Sequence, residues 1–463
     1  MKKKLFLTIF FMFLSLVLVG CTTKPQDNGP TKLNVPSGFA IEDGYVYFNI
    51  IAASKEYVIK FENNESALER TITESGTSLA ELLLPEGTYQ ASIKAKGDGV
   101  KYLDSDYSSA VEVTKEASIM EIKERELVSG GYIKWMGRTY YNESTKANEV
   151  YHSASGFEIF FKGSEVVATI TATNYNSSSQ RPYIVIVVDD DFDHITTLAL
   201  DKASQDVKLV SNNTDVAEHK IDVYKRSESL DSHIAISSIK TDGIFVKKIV
   251  TKPLKMEFIA ASSSTGYGNL GNPNSSGKTT ENSDALRGFA FLTAQAMNAE
   301  ISIFSASGWG CAFSKWTSPY SLNVPDAYHY VDFRSDKVWV PDLYVPDIVV
   351  VNLGTNDWSY INEASGAEQD ARMSAFQRKY VEFLDYLHQI YPNAQIVVLY
   401  GLMHENSIYS ATEAIVETAK QTNPSLQKIM INGDSMGYNS HPSVASHKII
   451  AQKLTEFLKG LNN

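Results

Sequence analysis

Four short blocks carry the residue types of acyl-transfer chemistry. They are Ala260-Ala261-Ser262-Ser263-Ser264-Thr265-Gly266-Tyr267-Gly268-Asn269, Ser307-Gly308-Trp309-Gly310, Gly354-Thr355-Asn356-Asp357 and His441-Pro442. Hydrolysis of an acyl group needs a hydroxyl nucleophile, an imidazole to take its proton, and N–H donors aimed at the developing oxyanion. The blocks supply serines, a histidine, and glycine and asparagine donors. Taken singly, each has an ordinary explanation. A serine run is more often a set of loop hydroxyls, residues 354–357 alone read as a strand-end turn, and His404 also follows a strand and competes with His441. What sets them apart is that each block lies just past an apolar run.

Those runs define the elements that must position the blocks. After Pro253 the candidate strands are 256–259, 301–304, 348–353, 396–400 and 429–431. Residues 349–351 are continuously β-branched, as expected of a strand covered on both faces. Between the strands lie helical patterns. In 367–390, Met373, Phe376, Tyr380, Phe383, Leu387 and Ile390 recur every three or four residues. Strand and helix in alternation imply a parallel α/β sheet with right-handed crossovers. Ligands of such sheets bind at the carboxyl ends of the strands, which is where all four blocks fall.

The chain upstream is β-rich. From 33 to about 114 the pattern has period two: Val46, Phe48 and Ile50 share a face, as do Tyr57, Ile59 and Phe61, and Tyr89, Ala91 and Ile93. Turn signals at Glu42-Asp43-Gly44, Pro85-Glu86-Gly87 and Gly97-Asp98-Gly99 give the rhythm of a small sandwich. A second stretch, about 133–250, has its clearest strands at 157–161 and 183–188, and two packed sheets are expected there. Asp189-Asp190-Asp191 reads as a solvated turn in preference to a calcium site, and no metal is assigned.

Composition narrows the function. The chain has 463 residues, 43% of them hydrophobic, enough for two or three domains. A net charge of −12 repels nucleic acid and anionic lipid, and favours a neutral substrate. Cys21 and Cys311 are the only cysteines, which argues against a disulfide framework or a cysteine zinc site. Lys2, Lys3 and Lys4 precede an apolar run over 5–19 that ends in Leu18-Val19-Gly20-Cys21. This resembles a lipoprotein signal peptide with its lipobox, and the resemblance makes Cys21 the lipidated first residue of a protein held at the outer face of a bacterial membrane. Residues 22–32, rich in Thr, Pro, Asn and Gly, read as a tether.

With the blocks in order, the C-terminal half resembles the SGNH hydrolases, and specifically the family-two carbohydrate esterases, whose N-terminal partner is a small jelly-roll domain. The resemblance runs from about Gly137 to the C-terminus. Counting back from Gly266-Tyr267-Gly268, it assigns the nucleophile to Ser262 and the position of a family threonine to Ser264. It assigns the base to His441, and the oxyanion hole to the amide of Ser262, the amide of Gly308 and the side chain of Asn356. Pro442 and the helix after it match the family at His441, not at His404. Two positions depart from the pattern: Ala260-Ala261 replaces Gly-Asp before the serine, and Tyr438 replaces the aspartate three residues before the histidine. Members of this family manage with a Ser-His dyad and a backbone carbonyl; Asp434 is a weaker alternative for the third member.

The residues 84–89 and Tyr107-Ser108 resemble a fibronectin type III domain. The expected architecture is therefore a signal peptide (1–20), a linker (21–32), a fibronectin III-like sandwich (33–116), a jelly-roll-like sandwich (125–250) and an α/β flavodoxin-like SGNH domain (251–463). The expected activity is deacetylation of an O-acetylated polysaccharide or oligosaccharide through an acyl-serine, with no cofactor. Trp309 and Trp358 are candidates to stack on sugar rings. The competing reading is a carbohydrate-binding surface protein whose hydrolase site has decayed, motivated by Ala260 and Ala261.

Overall fold

The computed structural model describes residues 29–463 apart from 65, 85, 117–118, 214–216, 318–321, 334, 404–407 and 462–463. Cys21, the signal-like segment before it and His404 thus lie outside the described residues. Two compact units are present: the described part of Met1–Leu79 with Glu86–Lys115, and Ala80–Pro85 with Glu116–Asn463.

The first unit is all β. A four-stranded antiparallel sheet runs in the order Ala67–Ile72, Tyr57–Glu62, Gly87–Ala95, Val111–Lys115, and a three-stranded one joins Ala40–Glu42, Tyr45–Tyr47 and Thr77–Ser78. Period-two alternation buries Tyr57, Ile59, Phe61, Tyr89, Ala91 and Ile93 together. Ile50 departs from the expected face: the strand stops at Tyr47, the alternation lapses, and Ile50 is 63% exposed.

The second unit begins with two six-stranded antiparallel sheets. Val150, Ile170 and Ile236 of one sheet share a core with Ile159, Ile184 and Ile221 of the other. The strand Tyr183–Val188 shows why its apolar run is unbroken. Ile184 and Ile186 face the sandwich core, while Val185 and Val187 pack with Met256 and Phe258 of the following domain. Each such burial is worth about 1.5–3 kcal/mol, so this strand joins the two layers into one folded body.

The C-terminal sheet is parallel throughout. Its order is Ala299–Ser305, Leu254–Ala260, Ile348–Asn352, Gln395–Tyr400, Gln427–Met430, with the first strand in sequence lying between the second and third. Val349 and Val351 face one helical layer and Val350 the other, so the run is β-branched because both faces are covered. The helix Ala367–Ile390 buries Phe376, Tyr380, Phe383, Leu384 and Leu387 on one layer. The chain reverses direction across the sheet beside the first strand, and the carboxyl ends there form the crevice in which ligands of such sheets bind. An N-terminal β-rich region followed by a parallel-sheet domain is thus the architecture observed.

Candidate active site

The first strand ends at Ala260, and the chain turns at once into the short helix Ser262–Thr265. Of the three serines, Ser263 and Ser264 are buried, while Ser262 is half-buried and reaches the imidazole of His441. Its Oγ lies 2.7 Å from His441 Nε2. His441 Nδ1 lies 3.1 Å from the carbonyl oxygens of both Tyr438 and Asn439. Carbonyls only accept, so the proton sits on Nδ1 and donates to them, leaving the Nε2 lone pair for the Ser262 hydroxyl. The two carbonyls converge because Asn439 and Ser440 both adopt left-handed backbone, at φ 51° and 61°, a conformation that costs non-glycine residues energy and persists at functional turns.

The side chain of Tyr438 therefore does not stand in for a carboxylate; its backbone oxygen does that work. Asp434 is not the third member either. Its carboxylate accepts from Ser443 N and Ser443 Oγ, which secures the start of the helix Val444–Leu461. Burial holds the His441 imidazole below its ordinary pKa, opposed by the hydrogen bonds to Asn439 and Tyr438. At neutral pH it is uncharged and able to accept a proton.

The Gly266-Tyr267-Gly268 block is built against the histidine turn. Gly268 has φ +58°, and a Cβ there would lie 2.6 Å from Tyr438 Cβ. Its carbonyl accepts from Tyr438 N at 3.0 Å. Tyr267 stacks on the imidazole. The glycine is needed for this close approach, which places His441 relative to Ser262.

Past the second strand, Trp309 N donates to Ala306 O at 3.3 Å and Gly308 has φ +82°. That combination is a type II turn, whose second central residue is glycine because its φ is positive. Past the third strand, Asn356 sits in the first turn of the helix Thr355–Ile361. Its Nδ2 donates to Trp309 O at 2.9 Å, leaving the amide's second N–H available. Neither Ser262 N nor Gly308 N finds an acceptor among the described residues. The carboxyl edge of the sheet thus carries a proton-accepting dyad past the first strand and, past the second and third, N–H groups with no acceptor of their own among the described residues, the kinds of group that an acyl transfer requires.

Three features were not legible as functional. Asp357 is fully buried and accepts from the backbone N–H groups of Cys311, Ala312 and Phe313 at 2.9, 2.6 and 2.8 Å, pinning the loop that follows Gly308. Burial pushes its carboxyl up to about 6, against the pull of those three donors. Glu228, from the sandwich, is buried and accepts from Ser307 N at 2.8 Å. Lys278 bonds both Glu228, at 3.0 Å, and Asp231. Trp316, 65% exposed, lies beside Gly308: a Cβ on that glycine would come within 3.0 Å of Trp316 Cβ. Trp309, in contrast, is 4% exposed with its ring edge-on to Phe333 in the core, which corrects its expected role as a stacking platform. Trp358 is half-buried against the same core.

Among the described residues, no group of three or more His, Cys, Asp or Glu side chains is placed to hold a metal ion. The aspartates of 189–191 are engaged otherwise: Asp189 with His219 and Lys220 N, Asp190 with Lys220, Asp191 with His194.

Comparison with known proteins bears on this geometry. Residues 135–248 match the family model described as the carbohydrate esterase 2 N-terminal domain. A solved family-two carbohydrate esterase from Clostridium thermocellum, in complex with cellohexaose, superposes with a TM-score of 0.63 at 24% identity, over 71% of this chain and 98% of that one. The chain has the fold of the family-two carbohydrate esterases. Among curated relatives, the cellulase/esterase CelE of Acetivibrio thermocellus is 28% identical over 66% of this chain and 37% of its own length. An acetylxylan esterase / glucomannan deacetylase of Cellvibrio japonicus is 24% identical over 74% of this chain and 92% of its own length. The chain therefore spans well under half of the first relative and nearly all of the second. These relatives and this structural neighbour are carbohydrate esterases.

Proposed function

We propose that this protein is a carbohydrate O-acetylesterase that works through an acetyl-serine and is anchored at the cell surface by lipid on Cys21. The observation that carries the reading is the 2.7 Å contact between Ser262 Oγ and His441 Nε2, with Nδ1 held by two carbonyls. Ala260 and Ala261 leave that dyad intact, which favours an enzyme over a decayed binding protein.

In this mechanism Ser262 Oγ attacks the acetyl carbonyl while His441 Nε2 takes its proton. The oxyanion is held by the N–H groups of Ser262, Gly308 and Asn356. The tetrahedral species collapses, and the sugar oxygen leaves with the proton from His441. Water then attacks acetyl-Ser262, giving its proton to His441, and acetate and free Ser262 are formed. The carbonyls of Tyr438 and Asn439 ease the imidazolium charge in both steps, as a carboxylate does in a triad. Aligned dipoles do this less strongly than a full charge, and they work against burial, which disfavours the imidazolium and keeps His441 neutral between proton transfers. The substrates proposed are acetylated xylan and glucomannan, after the relative named for them, with acetylated mannan as a further neutral glycan that suits the chain's net charge of −12.

The test is acetate release from those three glycans by the chain from residue 22 onward, beside Ser262→Ala. Release abolished by the substitution supports the reading. Equal silence of both on every glycan sinks it and favours a carbohydrate-binding role. Anchoring is tested separately, by incorporation of labelled fatty acid that Cys21→Ser removes.

A further inference from the structure

The sandwich reaches into the site through the loop between its strands His219–Lys225 and Ile234–Thr241. Arg226 of this loop donates to the carbonyls of Thr280 and Glu281 at 2.6 and 2.9 Å. Lys225 Nζ, wholly buried, donates to Ser227 O and Glu228 O at 2.7 and 3.0 Å. These bonds fix Glu228, whose carboxylate bridges Lys278 and the N–H of Ser307. Ser307 is the first central residue of the type II turn, and Gly308 the second.

Turn geometry gives this bond its meaning. Types I and II share end residues and differ by a flip of the middle peptide, here the one joining Ser307 to Gly308. That peptide carries the Gly308 N–H. In one state the N–H is presented for an oxyanion and in the other it points away. A glycine permits both states, so presentation of the N–H depends on how the turn is anchored, and the bond from Glu228 fixes the peptide that precedes Ser307, from which the Gly308 N–H is hung.

We propose that Glu228 is a positioning residue for the oxyanion hole: by holding Ser307 N–H, this sandwich side chain keeps the Gly308 N–H presented beside Ser262. The inference rests on the esterase reading above and deepens it, because it makes the sandwich part of the catalytic apparatus of the α/β domain. Glu228 touches neither substrate nor the reacting serine.

Two substitutions separate reach from charge. Glu228→Asp keeps the charge near Lys278 but shortens the arm by one methylene, and Glu228→Gln keeps the arm and an acceptor oxygen but removes the charge. Both leave Lys278 its bond to Asp231, and both are checked by thermal melting. The readouts on the full chain are kcat and KM for p-nitrophenyl acetate and the rate at which a fluorophosphonate labels Ser262. Loss of one oxyanion donor costs on the order of 10²-fold. The expected result is a tenfold to hundredfold fall in kcat and labelling rate for Glu228→Asp with KM unchanged, and rates within threefold of the parent for Glu228→Gln.

Ser307→Pro supplies the independent arm. Proline presets the same φ at the first central position of types I and II alike and has no N–H for Glu228 to accept from, so it removes the bond without touching Glu228. It should lower kcat and the labelling rate as Glu228→Asp does, and add no more than threefold to the loss in Glu228→Asp. If Glu228→Asp does not fold, the parent carrying Ser307→Pro still decides the matter, because rates within threefold of the parent there overturn the proposal. So does full activity in Glu228→Asp, or a loss confined to Glu228→Gln. A chain that is labelled at Ser262 but releases no acetate from any glycan refutes the carbohydrate reading alone, and the labelling rates still judge Glu228. A parent that is not labelled at all ends both.

Discussion

Tyr267 lies against the His441 imidazole, ring centroids 4.4 Å apart and planes 29° from parallel. The imidazole is thus held from three sides: by Ser262 at Nε2, by the two carbonyls at Nδ1 and by an aromatic face. Aromatic pairs contribute about 0.5–1.5 kcal/mol beyond the area they bury. Removing the face with Tyr267→Leu should lower kcat for p-nitrophenyl acetate by roughly 2- to 10-fold at unchanged KM. Tyr267→Phe keeps the ring and should match the parent. Equal losses in both variants would assign the effect to the hydroxyl and contradict the stacking argument.

The pH dependence follows from which form of His441 works. The base is the neutral imidazole, and burial disfavours the protonated form, so the folded pKa lies below the ordinary value. As pH falls, activity is therefore retained until below about 6.5, where an exposed histidine would already be half protonated. A profile of kcat/KM against pH should show an acid limb with its midpoint under that value. A midpoint above it would mean that the carbonyls of Asn439 and Tyr438 outweigh burial.

How much of this could be read from the sequence depends on the range of the interaction. The five strands of the parallel sheet follow from apolar runs covered on both faces, and the order of the four blocks identifies the edge where they meet. That a backbone carbonyl can serve His441 in place of a carboxylate was implied by the family resemblance, which did not say which carbonyls of this chain would do so. Contacts without a local signature were not. Glu228 and Ser307 are 79 residues apart, in different domains, and nothing near either one marks it. Adjacency misled in the case of Trp309, which directly follows Gly308 in sequence yet turns into the core, while Trp316 returns to that glycine seven residues later. Ile50 failed for a related reason, since a period-two pattern does not show where pairing stops.

Asp357 offers a test of the loop past Gly308. A carboxylate accepts with both oxygens, and this one satisfies three backbone donors. Asp357→Asn retains the shape but replaces one oxygen with an NH2 that can only donate, so at least one buried N–H loses its acceptor. Each such loss costs about 1–3 kcal/mol. The variant should melt several degrees lower and label more slowly at Ser262, because the same loop carries the Trp309 carbonyl that holds Asn356. An unchanged melting temperature would show that the loop does not depend on this carboxylate.

The two tryptophans flanking the Gly308 turn should separate binding from folding. Trp316 is largely exposed beside that turn, with Lys315 Nζ 4.6 Å from its ring centroid. An aromatic face in this position suits the apolar face of a sugar ring, a contact of about 1 kcal/mol. Trp316→Ala should then raise KM for acetylated oligosaccharide about fivefold while leaving p-nitrophenyl acetate turnover within twofold. Trp309 is packed edge-on against Phe333 and lines the core. Trp309→Ala should destabilise by about 3–5 kcal/mol, visible as a large fall in melting temperature that both substrates report equally. If Trp316→Ala affects the small ester and the oligosaccharide alike, its role is to support the turn at Gly308 and not to hold sugar.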